Sequence, residues 1–334
     1  LAHNSDFNGL EEYVKYLDEI KVDAVIVSDI GIMSVIKNVA PNMEIHVSTQ
    51  ASVTNKYSAM EYVKYGAKRL VLARELSINE IKEIRDYLPK EIVLETFIHG
   101  AMCISYSGRC LLSNYLTGRD SNRGACVQAC RWEYSIREKN RDNYLDIQED
   151  DKGTYILNSK DLCMIEYIKE LYDAGVRSFK IEGRMKSPYY VATVTNAYRR
   201  AIDDFYNGKS FNTILKDELE KASHRRYTTG FYFGSNDKEC LETSTPIQSY
   251  EFMALVKEDS KNGYALIEQR NRFKVGDTLE ILSPTDSFNK TIVVTELLNT
   301  EGAKVMDAYK VQQPLYIKTD IILHKNDILR QKVE

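Results

Sequence analysis

Tyr62-Val63-Lys64-Tyr65-Gly66-Ala67 runs on to Leu70-Val71-Leu72: the tail of an amphipathic helix, a tight glycine turn, then a short apolar stretch suited to a buried strand. The unit recurs. Tyr13-Val14-Lys15-Tyr16 leads to Asp23-Ala24-Val25-Ile26-Val27, and Tyr167-Ile168-Lys169 leads through Ala174-Gly175 to Phe179-Lys180-Ile181. A repeated helix–turn–strand unit builds parallel α/β sheets or barrels.

Working outward, Val/Ile/Leu-rich runs at 24–28, 44–48, 69–73, 92–98, 155–157 and 178–181 read as strands buried on both faces. Between them 11–20, 56–65, 78–87 and 163–174 read as helices, the last because Leu162, Ile165, Ile168, Lys169 and Tyr172 recur at helical spacing. An eight-stranded (β/α) barrel short of its first two or three units and an open doubly wound sheet both fit this pattern. A helix over 189–206 and a shorter one over 215–223 follow. From about residue 243 the texture changes to short strands at 251–257, 264–268, 278–282, 291–297, 303–306 and 315–318, separated by turn residues. The expected organisation is therefore three-part. Residues 1–207 form a partial barrel with an inserted cysteine-rich loop at 100–150, 208–242 a helical linker, and 243–334 a small all-β barrel. The charged excursion at 137–153 reads as a solvated hairpin.

The 334 residues are 43% hydrophobic and 28% charged, which excludes a disordered or collagen-like chain. The net charge of −4 argues against whole-chain attraction to nucleic acid and leaves room for a local basic patch. Arg225-Arg226-Tyr227-Thr228-Thr229-Gly230-Phe231-Tyr232 is such a candidate, or an ordinary linker packing its tyrosines. No apolar run is long enough to span a membrane, so no membrane partner is expected. The opening Leu1-Ala2-His3 is neither an initiator methionine nor a signal peptide, so the chain is expected to begin inside a longer, cytoplasmic protein.

The chemistry gathers in the cysteines. Of six, Cys103, Cys110, Cys126 and Cys130 crowd into one glycine-containing stretch behind the strand at 92–98, the catalytic end of a strand in α/β folds. A disulfide framework is spread through a small secreted chain, whereas a knot in a large one reads as metal or redox chemistry. Only Cys126 and Cys130 have the spacing of a zinc knuckle, and four thiolates on a long loop suit a [4Fe–4S] cluster. Zinc, a nucleophilic Cys103 with His99 as base, and four small buried side chains remain open alternatives. Cys163, beyond another strand end, is a fifth candidate ligand; Cys240 has no assigned part. Polar residues recur at the other strand ends. Glu95, His99, Lys160, Asp161 and Glu182 are the candidate catalytic groups, and a convergence of Arg74, Lys160, Lys180 and Arg184 suits a substrate bearing carboxylates.

Glu95-Thr96-Phe97-Ile98-His99-Gly100-Ala101-Met102-Cys103, with Ser107-Gly108-Arg109-Cys110-Leu111-Leu112-Ser113, resembles the signature of the peptidase U32, or collagenase-like protease, family. The resemblance continues through Asn122-Arg123-Gly124-Ala125-Cys126, Cys130-Arg131-Trp132-Glu133-Tyr134, Asn158-Ser159-Lys160-Asp161-Leu162, Lys180-Ile181-Glu182-Gly183-Arg184 and 224–232. It implies a TIM-type (β/α) barrel, N-terminally truncated, with a β-rich C-terminal domain. It is nearest the branch of prephenate-dependent tRNA hydroxylases, which make 5-hydroxyuridine at the wobble position without molecular oxygen. It implies a [4Fe–4S] cluster on Cys103, Cys110, Cys126 and Cys130, prephenate as a small dicarboxylate co-substrate, tRNA as partner, and Arg131 among the substrate-binding residues. Hydrolysis of protein, the family's older label, and hydroxylation of a ribosomal RNA base are the alternatives. The sequence carries no HExxH motif or Ser/His/Asp triad pattern.

Overall fold

A computed structural model describes residues 2–103, 105–132, 149–150, 153–154, 160–234 and 247–333. The expected strand at 155–157, together with Glu133, Tyr134, Asn158, Ser159 and Cys240, lies outside the described residues. The chain divides into two units: residues 1–182 with 225–245, and residues 183–224 with 246–334. The break after residue 245 lies close to the expected one at 242, whereas the expected one at 207 is replaced by breaks after 182 and 224. The long helix Pro188–Tyr206 belongs with the C-terminal strands; it buries Tyr189, Val194, Ala197 and Tyr198, and Tyr189 stacks on Phe252 of that unit.

In the first unit α1 (Leu10–Glu19), β1 (Val25–Val27), α2 (Ile30–Val39), β2 (Ile45–Val47), α3 (Lys56–Lys64), β3 (Ala67–Val71), α4 (Ile78–Tyr87) and β4 (Val93–Ala101) alternate as the repeat requires. Local chemistry fixes the helix starts. Asp29 and Asn55 cap α2 and α3, and Ser77 with Glu80 forms a reciprocal capping box at α4. Then come α5 (Leu112–Thr117), the short strands β5 (Glu149–Asp150) and β6 (Gly153–Thr154), β7 (Asp161–Cys163), α6 (Ile168–Asp173), β8 (Val176–Ile181) and β9 (Tyr227–Thr228). β5 and β6 pair antiparallel within the excursion expected as a hairpin.

Strands β1, β2, β3, β4 and β8 pair in parallel, in that order. The last residues of β4, His99 to Ala101, also carry β7 antiparallel, and β9 pairs with β7. Among the described residues this is an open mixed sheet. The helix expected over 163–174 starts only at Ile168, because Asp161–Cys163 is taken by the ladder on β4. One sheet face is apolar and buried through Val27, Val47, Leu70, Leu94 and Val176. Gly100 (φ +107°) lets β4 and the end of β8 meet, since a Cβ there would lie 2.3 Å from the Glu182 carbonyl oxygen.

The second unit holds α7 (Pro188–Tyr206), capped by Ser187 with proline in its first turn, and α8 (Ile214–Leu219). Its strands are β10 (Tyr250–Val256), β11 (Tyr264–Gln269), β12 (Phe273–Lys274), β13 (Thr278–Leu282), β14 (Thr291–Val293), β15 (Leu297–Leu298), β16 (Lys304–Val305), β17 (Asp307–Ala308), β18 (Pro314–Lys318) and β19 (Ile328–Lys332). Eight of them form an antiparallel sheet in the order β14-β13-β19-β10-β11-β18-β15-β16 around a core including Met253, Ile267, Leu279, Leu315 and Leu329. The expected single strand at 291–297 is split into β14 and β15, and the expected helix at 215–223 stops at Leu219. The sequence reading missed β19, a central strand, because Arg330-Gln331-Lys332 looks like a solvated tail.

Arg330 is fully buried, bonded to Glu218 at 2.5 Å, Glu280 at 2.6 Å and Asn289 at 2.8 Å. Lys221 joins the same carboxylates, at 3.0 Å from Glu218 and 2.6 Å from Glu280. Removing one member of such a network strands a buried charge. Arg330→Ala is expected to lower unfolding free energy by about 3–5 kcal/mol in urea titrations. A loss under about 1 kcal/mol, the range of an exposed ion pair, would refute the buried-pair account.

Candidate active site at the end of the central strand

Strand register builds the site. Glu95 pairs with Ser178 and Phe97 with Lys180 across β4 and β8, while Arg69 pairs with Val93 across β3 and β4. Side chains alternate along a strand, so Arg69, Glu95, Ser178 and Lys180 project from one face. There the Glu95 carboxylate accepts from the Ser178 hydroxyl at 2.7 Å, Arg69 at 3.0 Å and Lys180 at 3.0 Å. Burial pushes the Glu95 carboxyl up, but the Ser178 hydroxyl, the Lys180 ammonium and the Arg69 guanidinium outweigh it and hold it below the usual carboxylate range.

Lys180 lies over the Phe97 ring, its nitrogen 5.6 Å from the centroid, and the Arg74 guanidinium lies 4.3 Å from the same centroid. Arg74 also donates to the Ala101 carbonyl at 2.8 Å. The buried Tyr232 hydroxyl donates to the Phe97 carbonyl at 2.6 Å, and burial pushes that phenol up to about 12. His99 is buried, its ring 5.4 Å from that of Tyr227.

Behind β4 the chain enters the cysteine-bearing segment, which strand-end residues pin. Glu75 accepts from the Ser107 N–H at 2.8 Å and its hydroxyl at 3.0 Å. The Gln50 side chain donates to the Asn122 carbonyl at 2.9 Å, and Asn122 and Ser121 donate to the Cys110 carbonyl at 2.9 and 2.7 Å. Gly108 (φ +73°) sits against Gln50, where a Cβ would fall 2.1 Å from the Gln50 carbonyl oxygen, so only glycine fits.

The cysteines at 103, 110, 126 and 130 are all free thiols, and they act on one another. Desolvation pushes the Cys103 thiol up, opposed by the Ser105 N–H and the Arg74 charge, with Cys110 and Cys126 adding to the rise. Burial pushes Cys130 up to about 11, against the pull of Arg131 and with repulsion from Cys103, Cys126 and Cys110. At Cys110 burial also pushes upward, but N–H groups of Leu112 and Ser113 and the hydroxyls of Ser105 and Ser121 prevail and lower the thiol. The Cys126 sulfur accepts from the Gln128 N–H at 3.3 Å. Among the described residues no group of three or more His, Cys, Asp or Glu side chains is arranged to hold a metal ion. Cysteine sulfurs that accept hydrogen bonds are the donor type an iron–sulfur group takes, so only the chemistry of the four, and not their arrangement, suits one. Cys163 is buried in β7, opposite His99 in the ladder.

The other candidates are placed as follows. Arg131 donates to Asp161 at 2.7 Å, Asp161 also accepts from the Arg225 N–H at 3.0 Å, and both Arg131 and Asp161 are nearly inaccessible. They are spent on each other and tie the end of the cysteine segment to β7. Glu182 is half-buried, its N–H bonded to the His99 carbonyl at 2.9 Å, and Lys160 is half-buried beside β7. Arg184 is exposed and belongs to the second unit, while in the first unit Arg74 and Lys180 share the Phe97 ring. Sequence reasoning missed Arg69, Ser178 and Phe97. An arginine inside an otherwise apolar strand was the available signal, since such a charge demands a partner.

An open α/β sheet with a thiol-rich loop at the end of its central strand defines a class that the comparisons narrow. Residues 1–242 match the model of Peptidase family U32 and 248–330 that of the Peptidase family U32 C-terminal domain. The chain belongs to peptidase family U32. It is 38% identical to "tRNA hydroxylation protein P1" of Bacillus subtilis, the match covering 99% of this chain and 79% of that one. It is 35% identical to "tRNA hydroxylation protein P" of Escherichia coli, covering 94% and 79%. To "Collagenase" of Porphyromonas gingivalis it is 30% identical, covering 85% and 71%. Among the described residues no helix is long and apolar enough to cross a membrane.

Because Glu95 is ionised more readily in the folded chain than in the unfolded one, it stabilises the fold above the ordinary carboxylate range. That contribution is lost as pH falls through its lowered folded value. The stability gap between wild type and Glu95→Gln is expected to be flat from pH 8 to about 5 and to close in acid. A gap that widens below pH 4 would show the opposite sign and overturn the assignment.

Proposed function

We propose that this chain is a tRNA-modifying enzyme that hydroxylates the wobble uridine to 5-hydroxyuridine, with prephenate as co-substrate and a [4Fe–4S] group on Cys103, Cys110, Cys126 and Cys130, in the cytoplasm. The names of the Bacillus subtilis and Escherichia coli relatives support the tRNA reading. The observation that carries it in the structure is Arg74. Its guanidinium shares the Phe97 ring with Lys180 and its charge acts on the Cys103 thiol, which supports a carboxylate-binding role for the two cations beside the thiols.

The chain's own residues divide the work. Arg74 and Lys180 bind the carboxylates of the small substrate, held at a fixed separation by the shared ring. Glu95, kept ionised by Arg69 and Ser178, orients the Lys180 ammonium rather than moving a proton itself. His99, paired with Cys163 in the β4–β7 ladder, is a group suited to proton transfer. When bound, the iron–sulfur group supplies electron transfer. The parallel pairing of β1 to β4 and β8 supports reading this sheet as part of a TIM-type barrel, whose chemistry sits at strand ends.

Anaerobically purified protein is expected to be brown and to contain iron and sulfide. In a strain lacking the gene, mass spectrometry of tRNA should show loss of 5-hydroxyuridine. Arg74→Gln should raise the KM for prephenate about tenfold or more. Colourless protein that cleaves gelatin would favour the peptidase reading, and unchanged 5-hydroxyuridine would remove the tRNA assignment.

A further inference from the structure

The cysteine-bearing segment carries both positive charge and aromatic rings on its outside. Between residues 105 and 132 there are four arginines and a single aspartate, in a chain whose net charge is −4. Arg131 is committed to Asp161 and Arg123 to Asp6, at 2.7 and 2.8 Å, while Arg109 and Arg119 are exposed. The same stretch exposes large rings: Tyr106 at 67%, Tyr115 at 80% and Trp132 at 49%, with Leu111 and Leu116 also outward.

These side chains sit on one cross-braced lobe. Ser113, buried, donates to the Arg119 carbonyl at 2.7 Å and accepts from the Val127 N–H at 3.2 Å, joining α5 to the segment that ends in Trp132. The Arg109 N–H donates to the Tyr106 carbonyl at 2.9 Å, closing the turn that presents both residues.

We infer that the outer surface of this lobe, through Tyr106, Tyr115 and Trp132 with Arg109 and Arg119, binds the unpaired bases of an RNA loop by stacking and charge. Rings with interleaved arginines are the chemistry that recognises single-stranded RNA, because every base offers a π-face and every nucleotide a phosphate. A duplex hides its base faces and offers only charge. The local excess of arginine matches a polyanion, and the lobe carries the thiols, so a base held here lies on the same segment as Cys103 and Cys110. The inference rests on the tRNA reading and deepens it, assigning base capture to the cysteine lobe rather than to residues 225–232.

The test is fluorescence anisotropy of the full chain with two RNAs of equal length: a stem–loop with an unpaired uridine-containing loop, and a blunt duplex. Circular dichroism confirms folding of each variant. Wild type is expected to prefer the stem–loop. Tyr115→Ala and Trp132→Ala should each weaken stem–loop binding about tenfold and leave duplex binding unchanged, with Tyr115→Phe restoring it. Arg119→Gln should weaken binding to both RNAs and lower the salt slope by about 0.7. Stem–loop preference that survives all the ring substitutions would overturn the lobe assignment while leaving the tRNA reading standing. No stem–loop preference in wild type would overturn both. Variants with unchanged RNA affinity and lost gelatin affinity would assign the surface to a protein chain and overturn it too.

Discussion

An ionised carboxylate in the middle of a parallel sheet must be matched, and Glu95 is matched three ways, by Arg69, Lys180 and Ser178. Without those partners the group would have to be protonated or solvated, since an isolated buried charge is prohibitive in a weakly polar interior. The requirement fixes more than one contact. It holds β3 and β8 in register on either side of β4, and it places a lysine where β8 ends. The strand between them then continues to His99, Gly100 and Ala101, carrying β7 and launching the cysteine segment.

The same strand therefore serves packing and chemistry with its two faces. Thr96, Ile98 and Leu94 are buried among apolar neighbours, while Glu95 and Phe97 organise the cations. Phe97 gives Arg74 and Lys180 a common support, which separates two like charges without a second carboxylate between them. Arg74 is held by the ring and the Ala101 carbonyl and Lys180 by the ring and Glu95, whereas Arg131 is buried against Asp161 and the Met102 carbonyl. Equal residue types thus have unequal uses, and only their partners tell them apart.

The second unit solves a related problem differently. There a fully buried arginine in β19 meets Glu218 from α8 and Glu280 from β13, so the helical pair and the sheet share one charge network. Orientation is specified by polar contacts at a place where apolar packing alone would tolerate sliding. Its position also explains why a central strand resembled a tail: the only polar side chain of the strand to be wholly enclosed is the one whose partners are remote in sequence.

Periodicity and turn chemistry by themselves determined the helices and strands from Leu10 to Ala101 other than α2, the extent of α4 and α7, and the change to short antiparallel strands after residue 250. These depend on neighbours a few positions apart. The crowding of four cysteines behind a strand was likewise visible as spacing. What only the tertiary structure decided was partnership. It decided that Asp161–Cys163 pairs with β4, taking Cys163 out of the expected helix, that Arg131 closes on Asp161, and that Arg69 and Ser178 complete the Glu95 group. It also decided that Arg330 turns inward and that α7 joins the C-terminal strands. Each is set by contacts between residues far apart in the chain, where the energy of satisfying a buried charge or ladder outweighs local preference.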